Sequence, residues 1–286
     1  MRRELAALIA ICTAGCPTTN TPPDAFMRDA GPPDPGSSTN CRAVDVLPSG
    51  AYWVGTDSTN GDVLHLNRPA HEVQLTRDAW VTRYESSFAC YRACVDAGEC
   101  PELSPLYGPT SRLRDRAYSR LPASGIALDA AASYCDWLGG RLLSGAEWES
   151  LTRGPDGRRF PWDEPPADPR NPEAGPRTPS EVTCARANWN QAGMVCTSTG
   201  LDLSPIDSHP DGRGPFGHFN LVANAGEWVT GTLHQYPAAP QVDPMVDDGS
   251  GMHLARMTTL NQGGGEGAAT ARCLFTSPPE PLYVEE

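Results

Sequence analysis

The chain has 286 residues and a formal net charge of −13, room for one large domain or two small ones at roughly 100–200 residues each. A chain this acidic lacks the basic surface that neutralises phosphates, which argues against nucleic acid as a partner. All 22 basic residues are arginine, so the chemistries that need a lysine on a phosphate or in a Schiff base are excluded. Neither a Gly-x-Ser-x-Gly elbow nor a His-Glu-x-x-His pair is present. The 28 glycines and 29 prolines exceed the roughly 12% of average usage and predict a chain rich in turns.

Met1-Arg2-Arg3, an apolar run from Leu5 to Ile11 and Cys12-Thr13-Ala14-Gly15-Cys16 have the order of a secretory signal. Residues 1–15 are read as a signal peptide of the lipoprotein type, with Cys16 as the lipidated residue. Thr13 stands where a lipobox usually has leucine, and an ordinary cleaved signal is the alternative. Residues 16–40 are too polar to offset their ordering entropy and are read as a disordered tether. The domain then covers 41–286. These readings predict an exported bacterial lipoprotein held to a membrane by its anchor, on the periplasmic or cell-surface side. Export implies oxidising conditions, so the eight cysteines from Cys41 onward are disulfide candidates. Cys94 with Cys100 and Cys184 with Cys196 would each staple a turn-rich loop, although sequence alone does not fix connectivity. No Cys-x-x-Cys pair supports zinc.

Along the domain, Ala51–Gly55, His71–Thr76 and Val81–Tyr84 read as strands. Ser86 or Ser87 caps a helix running to about Ala97, with Phe88, Tyr91 and Val95 inward and Gly98 as its stop. Arg112, Arg114, Arg116 and Arg120 lie in a loop read as a solvated face balanced by Asp115. A second helix runs from about Asp129 to Leu138, with Ala131, Tyr134, Cys135 and Leu138 on one face and Gly139-Gly140 at its end. Ser144-Gly-Ala-Glu147 fits a capping box that opens a short helix ending near Gly154. Short strands are predicted near Leu221–Val222, Glu227–Val229 and Leu260–Gly263. The pattern alone gives a loop-dominated α+β domain. His71 is read as packed, and the other histidines show no ligand spacing.

Several ordered segments resemble one family. They include Gly55-Thr-Asp57 with Pro69-Ala-His71-Glu-Val73, Tyr84-Glu85 with Tyr91-Arg-Ala-Cys94-Val95, and Tyr134-Cys135-Asp-Trp137-Leu-Gly-Gly-Arg141-Leu142 with Ala146-Glu147-Trp148-Glu149. Arg153-Gly154, Phe160-Pro161-Trp162, Asn220-Leu-Val-Ala-Asn224-Ala-Gly-Glu227-Trp228 and Gly263-Gly264 follow. Over about residues 45–275 the chain resembles the formylglycine-generating enzyme, or sulfatase-modifying factor, domain. That resemblance implies an α+β fold, a variant of the C-type-lectin-like fold with little regular structure.

Active members of that family oxidise a cysteine within Cys-x-Pro-x-Arg of a sulfatase, using oxygen and copper(I) on two cysteines shortly after an Arg-Gly-Gly-Ser element. Soft thiolates suit copper(I). Here that element reads Gln262-Gly263-Gly264-Gly265, and the stretch beyond it holds only Cys273. Copper is therefore not expected, and Cys273 and Gly265 merely mark the neighbourhood of the family's active site. The family's final Gly-Phe-Arg-Cys strand is read as missing, which leaves Cys135 without its family partner unless Cys273 or Cys41 substitutes. The resemblance implies structural calcium at two places. Asn188, the carbonyl of Trp189, Asp202 and the carbonyl of Ser204 form one set; Asn220, the carbonyls of Ala223 and Ala225, and Glu227 form the other. Hard oxygen donors of this kind suit calcium. The expected function is a non-catalytic binding or scaffold module for an unidentified protein, peptide or glycan; the alternative is a formylglycine-generating oxidase.

Overall fold

A computed structural model describes residues 38–58, 67–103, 110–172, 182–188, 196, 203–231, 235–245, 255–256 and 269–286. The segments read from sequence as signal peptide and tether, with Cys16, lie outside these residues up to residue 37. In the described residues the helices are α1 (Phe88–Asp96), α2 (Leu128–Trp137) and α3 (Gly145–Arg153). The strands are β1 (Ser38–Asn40), β2 (Val44–Leu47), β3 (Gly50–Val54), β4 (His71–Leu75), β5 (Ala79–Thr82), β6 (Arg141–Leu142), β7 (Gly226–Trp228), β8 (Gln241–Val242), β9 (Ala255–Arg256), β10 (Ala269–Thr270), β11 (Cys273–Phe275) and β12 (Tyr283–Glu285).

The helix ends follow from local chemistry. Ser87 Oγ accepts the Cys90 amide and starts α1. Ser144 and Glu147 satisfy each other's backbone amides at the start of α3. α2 stops when Gly139 turns left-handed, at φ 84°. The amides of Gly139 and Gly140 then bond back to Asp136 and Cys135 at 2.8 Å each, closing two carbonyls that the helix leaves open.

Among the described residues four small sheets hold the loops together: β2-β5-β11-β6, β3-β4-β8, β10-β7-β9 and β1-β12. In the antiparallel hairpin β3–β4, His71, Val73 and Leu75 alternate inward. A β-carbon on Gly55, just past β3, would lie 2.6 Å from the Pro69 carbonyl oxygen, so the hairpin closes only on glycine here. β11 organises the core because successive side chains of a strand leave by opposite faces. Cys273 and Phe275 join the cluster of Phe88, Tyr91, Ile126, Tyr134 and Leu138. Leu274 joins the second cluster, with Val54, Val73, Val81, Trp148 and Leu151. The result is an α+β fold of short elements, loop-rich throughout.

The structure selects between the two partners offered for Cys135. Arg272 leads into β11, which begins at Cys273 and lies between β5 and β6 in the four-stranded sheet. Cys135 is bonded to Cys273. Beyond β11 the chain returns as β12 and pairs antiparallel with β1. Residues 38–40, assigned to the tether, are therefore part of the domain. Cys41 pairs with Cys90, Cys94 with Cys100 and Cys184 with Cys196.

Two local readings also change. Leu221–Val222 is not a strand, because Asn220 and Ala223 on either side have φ 53° and 62°, outside the extended region. The arginine loop is balanced from elsewhere in the fold: Arg114 pairs with Asp96 and Glu102, Arg116 with Glu285 and Arg120 with Asp207. Asp115 instead accepts the Ala117 amide. Leu260–Gly263 lies outside the described residues.

Candidate functional site

The loop leading into β7 carries the polar residues that sequence singled out, and its backbone is unusual. Asn220, Ala223 and Asn224 are all left-handed, at φ 53°, 62° and 61°. Non-glycine residues visit this region seldom, asparagine more readily than alanine. Three within five residues persist only where their surroundings hold them.

Those surroundings are a buried polar network centred on Glu85, just ahead of α1. Its Oε2 accepts Nδ2 of Asn220 at 2.9 Å and Nδ2 of Asn224 at 2.8 Å, while Oε1 accepts the Ala225 amide at 3.0 Å. Asn220 Nδ2 also donates to the Ile206 carbonyl at 3.1 Å. Asn220 Oδ1 is buried with no hydrogen-bond partner among the described residues. Asn224 Oδ1 accepts Asn188 Nδ2 at 3.0 Å and the Ser204 amide at 2.8 Å. Asn224 Nδ2 donates back to the Ser204 carbonyl at 3.2 Å.

Glu227, on β7, stands beside this network. Its Oε1 accepts Nε and Nη2 of Arg272 at 2.8 and 2.5 Å, and its Oε2 accepts Trp148 Nε1 at 2.6 Å. The remaining Arg272 donors reach the carbonyls of Thr82, Arg83 and Phe219 at 2.8, 2.9 and 2.8 Å. All five guanidinium N–H groups are thereby used. Two buried carboxylates thus face one buried arginine. Burial first, and then the Glu227 charge, push the Glu85 carboxyl up to about 8 against the opposing pull of Arg272 and the two asparagine amides.

The oxygen donors here are of the kind a hard cation takes. Asn220 Oδ1 is an oxygen buried with no donor among the described residues, and Glu227 Oε2, which accepts Trp148 Nε1, retains a lone pair. No group of three or more His, Cys, Asp or Glu side chains among the described residues is placed to hold a metal. Amide and carbonyl oxygens would therefore have to supply most of the shell, as calcium permits. Of the first predicted set, Asn188 and Ser204 are brought together through Asn224. Trp189 and Asp202 lie outside the described residues.

Sequence reasoning did not single out Glu85 or Arg272 as site residues. Glu85 was visible only as the partner of Tyr84 in a motif. Nothing in a lone acid or a lone arginine announces burial.

A second buried cluster belongs to the frame. Glu149 on α3 accepts Arg153 Nη1 at 2.9 Å, Arg256 Nη1 at 3.0 Å, the Gly55 amide at 2.6 Å and the Tyr236 hydroxyl at 2.8 Å. Burial drives the carboxyl up, but Arg256, Arg153 and the other donors outweigh it and hold Glu149 below its ordinary value. His218 Nε2 lies 3.2 Å from the Val81 carbonyl oxygen. Burial, followed by the Arg272 charge, takes its pKa down to about 3, so the ring is neutral. His71 is packed edge-on against Tyr236.

This combination defines a loop-rich α+β domain whose polar loops are tied by buried amides and acids, the formylglycine-generating-enzyme fold. The profile of the sulfatase-modifying factor enzyme 1-like domain matches residues 31–274, and the chain belongs to that family. The inactive Cα-formylglycine-generating enzyme 2 of Mus musculus is 29% identical over 160 residues, covering 53% of this chain and 46% of that protein. The formylglycine-generating enzyme of Bos taurus is 31% identical over 130 residues, covering 43% and 30%. The matched region thus spans less than half the length of these curated relatives. Among solved structures, PvdO from Pseudomonas aeruginosa aligns with a TM-score of 0.60 at 21% identity, covering 84% of this chain and 98% of that one.

The copper chemistry of active family members does not fit the cysteines of this domain. A bis-thiolate site needs two thiolates. Cys273 is bonded to Cys135, and the other six cysteines from Cys41 onward form three more disulfides. Cys12 and Cys16 belong to the N-terminal segment outside the described residues. Gly265 also lies outside them.

Proposed function

We propose that this protein is an exported sulfatase-modifying-factor-like domain without copper oxidase activity, serving as a binding or scaffold module for a protein, peptide or glycan. The observation that carries this reading is the state of its cysteines: the one cysteine after the Gly-Gly element, Cys273, is in a disulfide that joins β11 to α2. The relative named as an inactive enzyme supports it. Four disulfides suit an oxidising compartment, and the lipobox-like stretch ending at Cys16 supports an anchor on the outer side of a membrane. The Asn220 and Asn188 loops each hold a calcium ion in this reading. One set is Asn220, Glu227 and the carbonyls of Ala223 and Ala225; the other is Asn188, Asp202 and the carbonyls of Trp189 and Ser204. The ions are structural: they tie loops that lack long strands or helices.

The test is incubation of the protein with copper(I), oxygen and a Cys-x-Pro-x-Arg peptide, read by mass spectrometry. The peptide is expected to keep its thiol. Formation of the aldehyde would replace this reading with the oxidase.

A further inference from the structure

Around the start of α1 the buried polar side chains have partners, and one nearby does not. Glu85 accepts three amides. Ser86 Oγ lies 2.8 Å from Thr270 Oγ1, and Thr82 Oγ1 accepts the Cys273 amide at 3.0 Å. Tyr134, on α2, differs. It is 2% exposed, and its ring packs beside Tyr91 and Trp137. Its hydroxyl has no hydrogen-bond partner among the described residues. Burial raises its pKa, and only the charge of Arg42 opposes the shift. A buried hydroxyl without a partner carries a desolvation cost that phenylalanine would not. Such a group points to a partner from outside the chain, either water or a ligand.

Tyr134 lines a cleft of about 280 Å³, together with Tyr84, Glu85, Ile206 and the Cys41–Cys90 disulfide. That volume falls short of the roughly 300–1,000 Å³ of pockets that enclose a whole small molecule. It suits one side chain of a larger partner. A charged side chain would need a counter-ion and several hydrogen bonds in return for its desolvation. The cleft offers one neutral hydroxyl, and the Glu85 carboxyl on its wall is already committed to three donors. An apolar side chain would leave the hydroxyl unpaired. A short polar side chain would not reach it, since Tyr134 lies deep. Glutamine meets all of these demands: it is long, unbranched and uncharged, and its amide can donate to a hydroxyl or accept from one.

We propose that this cleft is a docking pocket for a glutamine side chain of a peptide partner, with Tyr134 Oη as its hydrogen-bonding contact. This rests on the binding-module reading and names the chemistry of its partner; the copper assay above tests that reading separately. The probes are four alanine-based heptapeptides with glutamine, glutamate, lysine or leucine at the centre. Each is titrated into the ¹⁵N-labelled full chain with its disulfides intact, and the movement of the Glu85 and Cys90 amide signals is followed. The glutamine peptide is expected to bind at least about threefold more tightly than each of the others. Tyr134→Phe is expected to weaken it by about 3–10-fold, the factor that one neutral hydrogen bond supplies. The urea midpoint of Tyr134→Phe is expected to equal or exceed that of wild type, because the hydroxyl has no bond within the fold to lose.

Movement by all four peptides alike, or by none, would overturn the proposal, and so would equal affinity of wild type and Tyr134→Phe for the glutamine peptide. Each of these results would leave the binding module to be judged by the copper assay. A midpoint well below wild type, or failure of Tyr134→Phe to fold, would also overturn it by showing that the hydroxyl holds an internal water for the fold. Methyl glucoside moving the same signals where the glutamine peptide does not would assign the cleft to a sugar and overturn the side-chain reading.

Discussion

Arg272 and Glu227 illustrate how much a single pair can hold at the residue scale. Both are buried, their groups meet at 2.5–2.8 Å, and Arg272 also closes three backbone carbonyls. Replacing one partner strands the other's charge in the core, which costs about 3–5 kcal/mol. Arg272→Met is expected to lower stability by that amount in urea unfolding, whereas substituting the exposed Arg116 should change it little. His218 adds a pH dependence. Its pKa is about 3 in the fold and roughly 6.5 in the unfolded chain. Between these values the unfolded state binds a proton that the native state does not, so this contribution falls as pH drops from about 6.5 toward 3. Glu149, held below its ordinary value, acts in the same sense at lower pH. The urea midpoint of His218→Gln is expected to decline less than that of wild type between pH 7 and 5. Equal slopes would show that His218 does not remain neutral in the fold. None of these roles was legible in the sequence, because burial of an arginine, a glutamate or a histidine depends on what folds over it.

At the scale of elements, the helices were legible and most short strands were not. A helix is written locally: Ser87, the Ser144–Glu147 box and Gly139 mark ends that the structure reproduces. The strands β9 and β10 have two residues each and gain meaning only from partners far along the chain. β11 was missed for a related reason: its identity rests on lying between β5 and β6, which no local pattern states. The α2 start offers a test of the capping argument. Ala127 sits there in extended backbone with no side-chain cap. Ala127→Ser is expected to raise stability by about 1 kcal/mol, read as a shift in thermal midpoint. No shift would mean that the first-turn amides of α2 are already satisfied.

For the whole molecule, ordered motifs were enough to indicate the family and the α+β fold, because each motif fixes a turn or an inward face irrespective of what separates them. The candidate site was half legible. The motif pointed to Asn188, Asn220 and Glu227, whereas nothing in the sequence pointed to Glu85, which bonds Asn220, Asn224 and the Ala225 amide. The proposed function rests on chemistry that is missing from a segment rather than present in one. The resemblance implies two cysteines after the Gly-Gly element in active family members, and Cys273 alone is there. Its bond to Cys135 spans 138 residues of sequence and makes it part of the frame that holds the two cores on either side of β11.

The proposed lack of copper oxidase activity depends most directly on thiol status. The measurement is alkylation of the denatured, unreduced protein, followed by peptide mapping. No label is predicted on any of the eight cysteines from Cys41 to Cys273, and Cys135 should be recovered linked to Cys273. A labelled Cys273, free together with a second cysteine of the domain, would restore the pair that copper needs and contradict the account.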